Sequence, residues 1–246
     1  MWVFRGLRDG VVTTRWPAHP DDYATSWQGP VVITGTALTK LPAGACPTGA
    51  ISVAADRVRV DQGKCILCGR CVAQRPDLFA WSAGPGTPVL TRQQLIVPAE
   101  SDQAVEDVRR RLAQRTAALR RSVHVRHVDA GSDGSEEWEV QALLGPVYDV
   151  QRLGIFFTAS PRHADVLLVT GAGAPGMAES LRVTYDGMPD PKVVIAAGTD
   201  AVSGGLHGVG GLHGIGDTVP VDIWVAGAPP PPFCLISALL LAVGKL

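Results

Sequence analysis

Val166-Leu-Leu-Val-Thr170 is a nearly unbroken apolar run, followed by Gly171 and by a helical pattern over residues 175–188. A short run rich in β-branched residues predicts a strand buried on both faces, as in parallel sheets that helices cover. The same alternation continues through the second half of the chain. Further candidate strands span 123–128, 155–159, 193–197 and 221–225, and further candidate helices span 136–144 and 233–245. We therefore predict an α/β domain with a parallel sheet over residues 122–246, with functional loops beyond the carboxyl ends of its strands.

The composition is that of a chain able to bury a sizeable core. Its 246 residues are 46% hydrophobic, which is enough for one large domain or two modest ones. A net charge of −1 and an aromatic content of 6% do not indicate a nucleic-acid-binding protein. The most apolar run, 233–243, is too short to cross a bilayer as a helix, and the first residues lack an apolar stretch of signal-peptide length. We expect a soluble or peripherally attached protein with no nucleic-acid partner and no transmembrane segment of its own.

A basic helix is predicted over residues 101–121, after a turn-rich part with short extended pieces at 10–15 and 30–34. Ser101 is its candidate cap. Its apolar residues recur at helical spacing, and they are Val105, Val108, Leu112 and Leu119. Its arginines are Arg109, Arg110, Arg111, Arg115, Arg120 and Arg121. We interpret the arginines as a solvated helix face, and the alternative is a docking surface for an acidic partner or for membrane headgroups.

Four of the five cysteines have the spacing of iron–sulfur ligands. Cys65-Ile-Leu-Cys68-Gly-Arg-Cys71 supplies three thiolates, and Cys46-Pro-Thr-Gly-Ala-Ile supplies a fourth, nineteen positions before Cys65. Thiolates held by short loops at this spacing are typical of a 4Fe–4S cluster. Zinc is the competing interpretation, because it also accepts four cysteines. The fifth cysteine, Cys234, lies in an apolar segment and is predicted to be a buried core thiol.

The spacing resembles that of two-cluster bacterial ferredoxins, but one ligand set is missing. A second cluster would need cysteines at four positions, and those positions carry Thr36, Thr39, Pro42 and Arg75. All four ligands are replaced together. We therefore expect one 4Fe–4S cluster, bound by Cys46, Cys65, Cys68 and Cys71.

Residues 122–246 resemble the small iron–sulfur subunit of energy-converting, membrane-bound nickel–iron hydrogenases. That subunit is similar to the quinone-site subunit of respiratory complex I, the 20 kDa, PSST-like family. The stretches that carry the resemblance are 125–132, 160–171, 185–192 and 219–225. The part around Gly10-Val-Val-Thr-Thr-Arg-Trp-Pro17 resembles the ferredoxin-type subunit of the same complexes. The resemblance implies a fusion of two electron-transfer subunits: an α+β ferredoxin-like domain over 1–98, a basic helical linker over 99–121 and an α/β flavodoxin-like domain over 122–246.

The chain departs from this family at the proximal cluster. The family binds that 4Fe–4S cluster with four cysteines, and the matching positions here carry Asp133, Glu136, Asp200 and Ala228. The resemblance therefore implies that the proximal cluster is absent. The three carboxylates could gather a hard cation such as Mg²⁺ or Ca²⁺. We favour the alternative, that they are solvated or hydrogen-bonded loop carboxylates filling the vacated pocket.

Weaker signals surround this position. Gly171-Ala-Gly173-Ala-Pro-Gly176 matches a dinucleotide-binding loop, but Pro175 removes one amide donor and we favour a plain strand-to-helix turn. His207 and His213 occupy a six-residue tandem repeat that could bind a metal, and we favour a flexible glycine-rich insertion. Arg162 and His163 resemble family residues near the cluster or quinone end, and here we expect packing or subunit contacts.

The resemblance implies an electron-transfer subunit that is not itself catalytic. Expected partners are a hydrogenase-like large subunit, the membrane subunits of the same complex and a redox donor protein. The expected location is cytoplasmic, peripheral on the inner face of the cell membrane through those partners. The alternative function is a non-redox scaffold that couples neighbouring subunits.

Overall fold

The computed structural model of the protein describes residues 2–35, 44–54, 57–98, 103–117, 119 and 122–246. The first part of the chain consists of short helices and strands joined by turns. These elements are α1 (Trp2–Asp9), α2 (Asp22–Ser26), β1 (Gln28–Ile33), β2 (Ile51–Ala54), β3 (Arg57–Asp61), α3 (Arg70–Gln74), β4 (Phe79–Ala83) and β5 (Ile96–Val97). These strands are short, and they form small sheets rather than one large one.

The strands of this part form two antiparallel sheets. One sheet pairs β1 with β4, and the other has the order β2-β3-β5. Their buried side chains form a small core of Val31, Val58, Val60, Leu78 and Phe79. The extended piece predicted at 30–34 is confirmed as part of β1. The piece predicted at 10–15 is not a strand, because the backbone there bonds across to the second half, with the Thr14 amide donating to the Val147 carbonyl at 2.7 Å.

The second part is an α/β body around a five-stranded parallel sheet. Its elements are α4 (Gln103–Arg115), β6 (Val123–Asp129), α5 (Ser135–Ala142), β7 (Ile155–Phe157), β8 (Val166–Thr170), α6 (Ala178–Asp186), β9 (Val193–Ala197), α7 (Thr199–Ser203), β10 (Ile223–Val225) and α8 (Pro232–Ala242). The sheet order is β10-β9-β8-β6-β7. This is the doubly wound order of flavodoxin-like sheets, whose direction of winding reverses between β6 and β8. Loops that follow these two strands are the expected place for a site.

The predicted elements of this part are found, with small shifts at their ends. The strands predicted at 166–170 and 193–197 match β8 and β9, whose residues are all buried. The helix predicted over 175–188 begins as a 3₁₀ turn at Pro175–Met177 and continues as α6. The helix predicted over 233–245 is α8, which ends at Ala242. The apolar runs therefore predicted the strands of the sheet, whereas the flanking turns decide where each strand and helix begins and ends.

The basic helix is shorter than predicted and packs against the α/β body. It spans α4, and Ser101, Arg120 and Arg121 lie outside the described residues. Leu112 is buried, and Val105 and Val108 pack against the same core as the sheet. The arginines of α4 are exposed, as both interpretations of this face require, and Arg115 also contacts the Asp222 carboxylate at 2.5 Å.

None of the helices in the described residues is both long enough and apolar enough to traverse a membrane.

Candidate functional site

The four predicted cysteine ligands line one cavity in the first part of the chain. The cavity is partly open to solvent. Cys46 precedes β2, Cys65 and Cys68 lie on the loop between β3 and α3, and Cys71 lies on α3. The remaining wall is apolar, with Val31, Ala50, Ile51, Val60 and Ile66. The structure thus brings together the four residues that sequence spacing selected. The positions Thr36, Thr39 and Pro42 lie outside the described residues.

The loop from Cys65 to Cys71 turns sharply around this cavity. Leu67 has φ 54° and Gly69 has φ 71°, both in the left-handed region. Glycine adopts this conformation readily, whereas leucine does so at an energetic cost that the surrounding structure must offset. Such strain collects at functional sites. Here the two left-handed residues let three cysteines separated by two residues each face the same cavity.

Backbone amides point at the cysteine sulfurs. The Ala50 amide donates to Cys46 Sγ at 3.2 Å. Main-chain hydrogen bonding at Leu67 acts to lower the pKa of Cys65, and that at Val72 acts to lower the pKa of Cys71. A hydrogen bond to a thiolate favours its charged form. The loop therefore supplies donors where thiolate ligands need them.

The environment of the cysteines disfavours the ionised, thiolate form of their side chains. Burial raises the pKa of Cys65 to about 11, and the charges of Cys71, Cys46 and Cys68 raise this pKa further. Burial also raises the pKa of Cys71. Four neighbouring thiolates repel one another unless a cation among them offsets their charge. These cysteines are therefore neutral thiols at neutral pH unless a cation such as an iron–sulfur group offsets the charge of their thiolate forms.

The acidic residues at the family's cysteine positions differ in exposure to solvent. Asp133 is exposed, and its carboxylate accepts the Ser135 amide at 2.9 Å at the start of α5. Glu136 and Asp200 are buried, with 2% and 9% of their surface exposed. Our expectation of loop carboxylates holds for Asp133, but the other two belong to the interior. Among the described residues, no three His, Cys, Asp or Glu side chains are grouped so that they could hold one metal ion.

Glu136 and Asp200 lie at the carboxyl ends of the central strands. They fill space that is free because the neighbouring residues are glycines. A Cβ on Gly198 would stand 2.4 Å from Glu136 Oε1, and a Cβ on Gly205 would stand 1.8 Å from Asp200 Oδ1. Burial raises the pKa of Glu136 to about 8, and the charge of Asp200 raises it further. Burial also raises the pKa of Asp200. Glu136 is therefore largely protonated at neutral pH, as expected for a carboxyl group removed from water.

A hydrogen-bond network at the switch between β6 and β8 was not predicted from the sequence. Thr170 donates to Glu137 Oε1, and the other carboxylate oxygen of Glu137 accepts from Ser132 Oγ at 2.7 Å. His127 Nε2 lies 3.0 Å from Thr170 Oγ1. Burial lowers the pKa of His127. The available signal was polar Thr170 at the end of a buried strand.

Main-chain atoms of neighbouring loops occupy the space around the glycine-rich loop after β8. The amides of Ala172 and Ala174 donate to the carbonyls of Gly131 and Ala130, at 2.9 and 2.8 Å. A Cβ on Gly173 would stand 2.1 Å from the Gly214 carbonyl oxygen. The glycines therefore serve close main-chain packing, which supports our interpretation of this loop as a turn.

The arginine and the three histidines singled out from the sequence lie at the surface, whereas the fifth cysteine does not. Arg162 and His163 are exposed on a 3₁₀ turn, Pro161–His163. His207 lies on another 3₁₀ helix, Gly205–Gly210, where we expected a flexible insertion. His213 is exposed in the turn that follows. Cys234 is completely buried on α8, as predicted.

Comparison with known proteins assigns the second part of the chain to a family. Residues 134–242 match the family model described as NADH ubiquinone oxidoreductase, 20 Kd subunit. A probable membrane-bound hydrogenase subunit of Pyrococcus furiosus is 37% identical over 139 residues, which is 56% of this chain and 83% of the relative. The chain belongs to this family. The matched segment contains Glu136 and Asp200, whereas the four-cysteine cavity lies outside it.

Two further relatives extend the family comparison. Formate hydrogenlyase subunit 7 of Escherichia coli is 36% identical over 152 residues, covering 61% of this chain and 58% of the relative. An NADH-quinone oxidoreductase subunit of Rhizobium meliloti is 41% identical over 100 residues, covering 40% of this chain and 60% of the relative. The family thus includes subunits named for hydrogenases, a formate hydrogenlyase and NADH-quinone oxidoreductases.

Proposed function

We propose that this protein is an iron–sulfur electron-transfer subunit of a membrane-associated, hydrogenase-like or complex I-like oxidoreductase. It carries one 4Fe–4S cluster on Cys46, Cys65, Cys68 and Cys71 and catalyses no reaction on its own. The observation that carries this proposal is the cavity that all four cysteines line, with amides directed at their sulfurs. Such a cluster supplies one-electron transfer when bound.

The ligand arrangement suits a cluster better than a single ion. Zinc requires its cysteines around one centre, with each sulfur about 2.3 Å from the metal. In a 4Fe–4S cluster each thiolate binds a different iron, so the cysteines surround the group and need not converge on one point. In this chain they line the wall of a shared cavity. The amides of Ala50, Leu67 and Val72 would then tune the potential through the sulfurs.

We further propose the domain division 1–98, 99–121 and 122–246, with a ferredoxin-like first domain. Two small antiparallel sheets and the cysteine loop support that name for the first domain. The middle segment is more than a connection, because Leu112 of α4 is buried in the core of the last domain.

The proximal cluster of the family is proposed to be absent. Its ligand positions carry Asp133, Glu136, Asp200 and Ala228, and no cysteine stands at any of them. Two of the replacements, Glu136 and Asp200, are buried carboxyl groups that fill the space between neighbouring loops. Burial raises the pKa of both groups, which suits neutral side chains in a filled interior rather than a ligand set.

The names of the relatives support a place in a larger assembly. We propose a hydrogenase-like large subunit, the membrane subunits of the same complex and a redox donor protein as partners. The chain would then lie on the inner face of the cell membrane, attached through those subunits. The test is whether a tagged chain brings down these subunits from detergent-solubilised membranes of its own cell.

A scaffold without redox function is the second candidate, favoured by the carboxyl groups that occupy the vacated ligand positions. The two functions differ in what the large subunit must contain. Electron delivery has a purpose when that subunit keeps the four cysteines of a nickel–iron site, and a scaffold does not require them.

The proposed cluster is tested by iron and acid-labile sulfide analysis with EPR spectroscopy on the anaerobically purified, dithionite-reduced full chain. We expect about four irons for each chain and the signal of a reduced 4Fe–4S cluster. Cys68→Ala should abolish both. Cys234→Ala is the matched control, because Cys234 is buried on α8 away from the cavity, and it should retain the iron.

Three results would count against this function. About eight irons would mean that the proximal cluster is present after all. Zinc in place of iron would support the scaffold. An unchanged EPR signal in Cys68→Ala would mean that the ligands are assigned wrongly.

A further inference from the structure

The cysteine loop is attached to the α/β body by side-chain hydroxyl groups. The turn Gln62–Lys64 leads directly into Cys65, and α7 of the α/β body packs against it. A Cβ on Gly63 would stand 2.7 Å from Val202 Cγ1 of α7, so the approach is close. We call this contact the loop clamp; it comprises Gly63, Lys64 and Cys65 and the hydroxyls that bind their carbonyls.

Three consecutive carbonyls in the loop clamp each accept a hydroxyl. Ser203 Oγ lies 2.7 Å from the Gly63 carbonyl oxygen, and Thr199 Oγ1 lies 3.1 Å from that of Cys65. Thr48 Oγ1 lies 2.6 Å from the Lys64 carbonyl oxygen. Thr199 and Ser203 are four residues apart on α7 and therefore share one face. Two of the three hydroxyls thus come from the α/β body.

Thr199 is fixed as the donor in its bond to Cys65. Its Oγ1 accepts the Gly227 amide at 3.3 Å, which leaves the hydroxyl hydrogen for the Cys65 carbonyl. The side chain is fully buried. A buried hydroxyl that uses both its acceptor and its donor cannot rotate without losing a bond, so it fixes the carbonyl it contacts.

The direction of this carbonyl affects the cysteine cavity. The Cys65 carbonyl and the Ile66 amide belong to one planar peptide unit and point in opposite directions. Holding the carbonyl on α7 turns the Ile66 amide away from α7 and fixes the start of the left-handed turn at Leu67. Leu67, with φ 54°, is the residue whose left-handed conformation brings Cys65 and Cys68 to the same cavity.

We propose that Thr199 and Ser203 are positioning residues for the four-cysteine site, through which the α/β body sets the site's reduction potential and its hold on iron. This inference rests on the proposed function. Neither residue lines the cavity, and both act through the main chain of Gly63–Cys65. The part of the chain that lacks the family's own cluster ligands thereby takes a role in holding the remaining site.

The test compares Thr199→Val with wild type in the anaerobically purified full chain. The variant keeps the shape of threonine and removes the hydroxyl. EPR-monitored redox titration should show a more negative midpoint potential. The Thr199 hydroxyl directs the positive end of its dipole at the main chain of the ligand Cys65, and its loss would stabilise the reduced, more negative state less. A hydrogen bond contributes about 0.5–1.5 kcal/mol, so iron release to a chelator should quicken by roughly three- to tenfold.

Two controls separate positioning from general destabilisation. Thr116→Val removes a buried hydroxyl that donates to the Leu112 carbonyl at 2.9 Å, far along the chain from the cysteines. It should leave the potential and the iron release unchanged. Thr199→Ser restores the hydroxyl and should return both quantities to wild-type values. Ser203→Ala, at a partly exposed position, provides a second variant with the same expected direction and a smaller effect.

The outcomes are distinguishable from those for the proposed function. Wild type without iron rejects the function and the inference together. Wild type with a normal cluster, and Thr199→Val and Ser203→Ala with wild-type potential and iron release, would reject the inference alone. The same holds if Thr116→Val shifts the potential as far as Thr199→Val does.

Discussion

At the scale of single residues, Glu136 shows how the fold sets the charge of one group. It lies in the first turn of α5, where helix geometry favours a carboxylate, yet burial raises its pKa to about 8 from an ordinary 4.5. An acid with a raised pKa stabilises the folded state fully below its unfolded pKa. This contribution is lost as pH rises from about 4.5 towards 8, because the carboxyl group then ionises in the unfolded chain but stays protonated in the folded one.

Glu136→Gln should remove this pH dependence. The amide cannot ionise, so the variant should be more stable than wild type at pH 9, by up to about 5 kcal/mol, and similar to it at pH 4. Thermal unfolding across this pH range measures the difference. Glu179→Gln, at an exposed position on α6, is the control and should follow wild type. A wild-type slope retained by Glu136→Gln would show that another group is responsible.

At the scale of elements, Gly214 lies where its own loop packs closely against the loop after β8 and against α7. It has φ +79°, and a Cβ there would stand 2.3 Å from the Ala201 carbonyl oxygen. Both the conformation and the space require glycine, since the obstructing atom is backbone and cannot move aside freely. The position of α7, and with it the loop clamp, depends on this close approach.

Gly214→Ala should destabilise the protein by roughly 1–3 kcal/mol because it combines backbone strain with overpacking. Gly176→Ala is the matched control, since a Cβ there meets nothing within 4 Å, and it should change stability by less than about 0.5 kcal/mol. Chemical denaturation of both variants measures the difference. Equal stability of the two would mean that the loop relaxes around the added methyl group.

The elements also show what the sequence could predict. The apolar run at 166–170 predicted β8 correctly, because a strand buried on both faces appears in the sequence as a continuous apolar run. The cysteines could be grouped because ligand spacing is a local property. The burial of Glu136 could not be predicted, since an acid at a helix start usually faces solvent. Thr199 was also missed, because its bond to Cys65 joins residues 134 positions apart and depends on how the two parts of the chain pack.

At the scale of the whole molecule, the two parts of the chain are joined at several places. Besides the loop clamp, the Trp16 indole donates to the Phe233 carbonyl at 3.2 Å, and its ring meets the Phe233 ring edge-on. Arg152 donates to the Trp16 carbonyl at 2.6 Å. Contacts of this kind couple the unfolding of one part to that of the other. We therefore expect a single thermal transition for the full chain.

Trp16→Ala should weaken this coupling and lower stability by about 2 kcal/mol, since a half-buried aromatic ring and a hydrogen bond are lost together. Calorimetry and near-UV circular dichroism should report the change. Trp138→Ala, where the ring is 73% exposed, is the control and should have little effect. Two separate transitions in wild type would show that the parts unfold independently.

The contact between Val89 and Trp224 also matters for how this molecule meets others. β10 is an outer strand of the parallel sheet, and at Trp224 its main chain bonds both ways with Val89, at 2.9 and 2.8 Å. A bare rim of this kind invites strands from other chains to add themselves and start aggregation. The first part of the chain stands in the way at that point. A strand from another molecule therefore cannot pair with the main chain of Trp224, which limits aggregation through this side of the sheet.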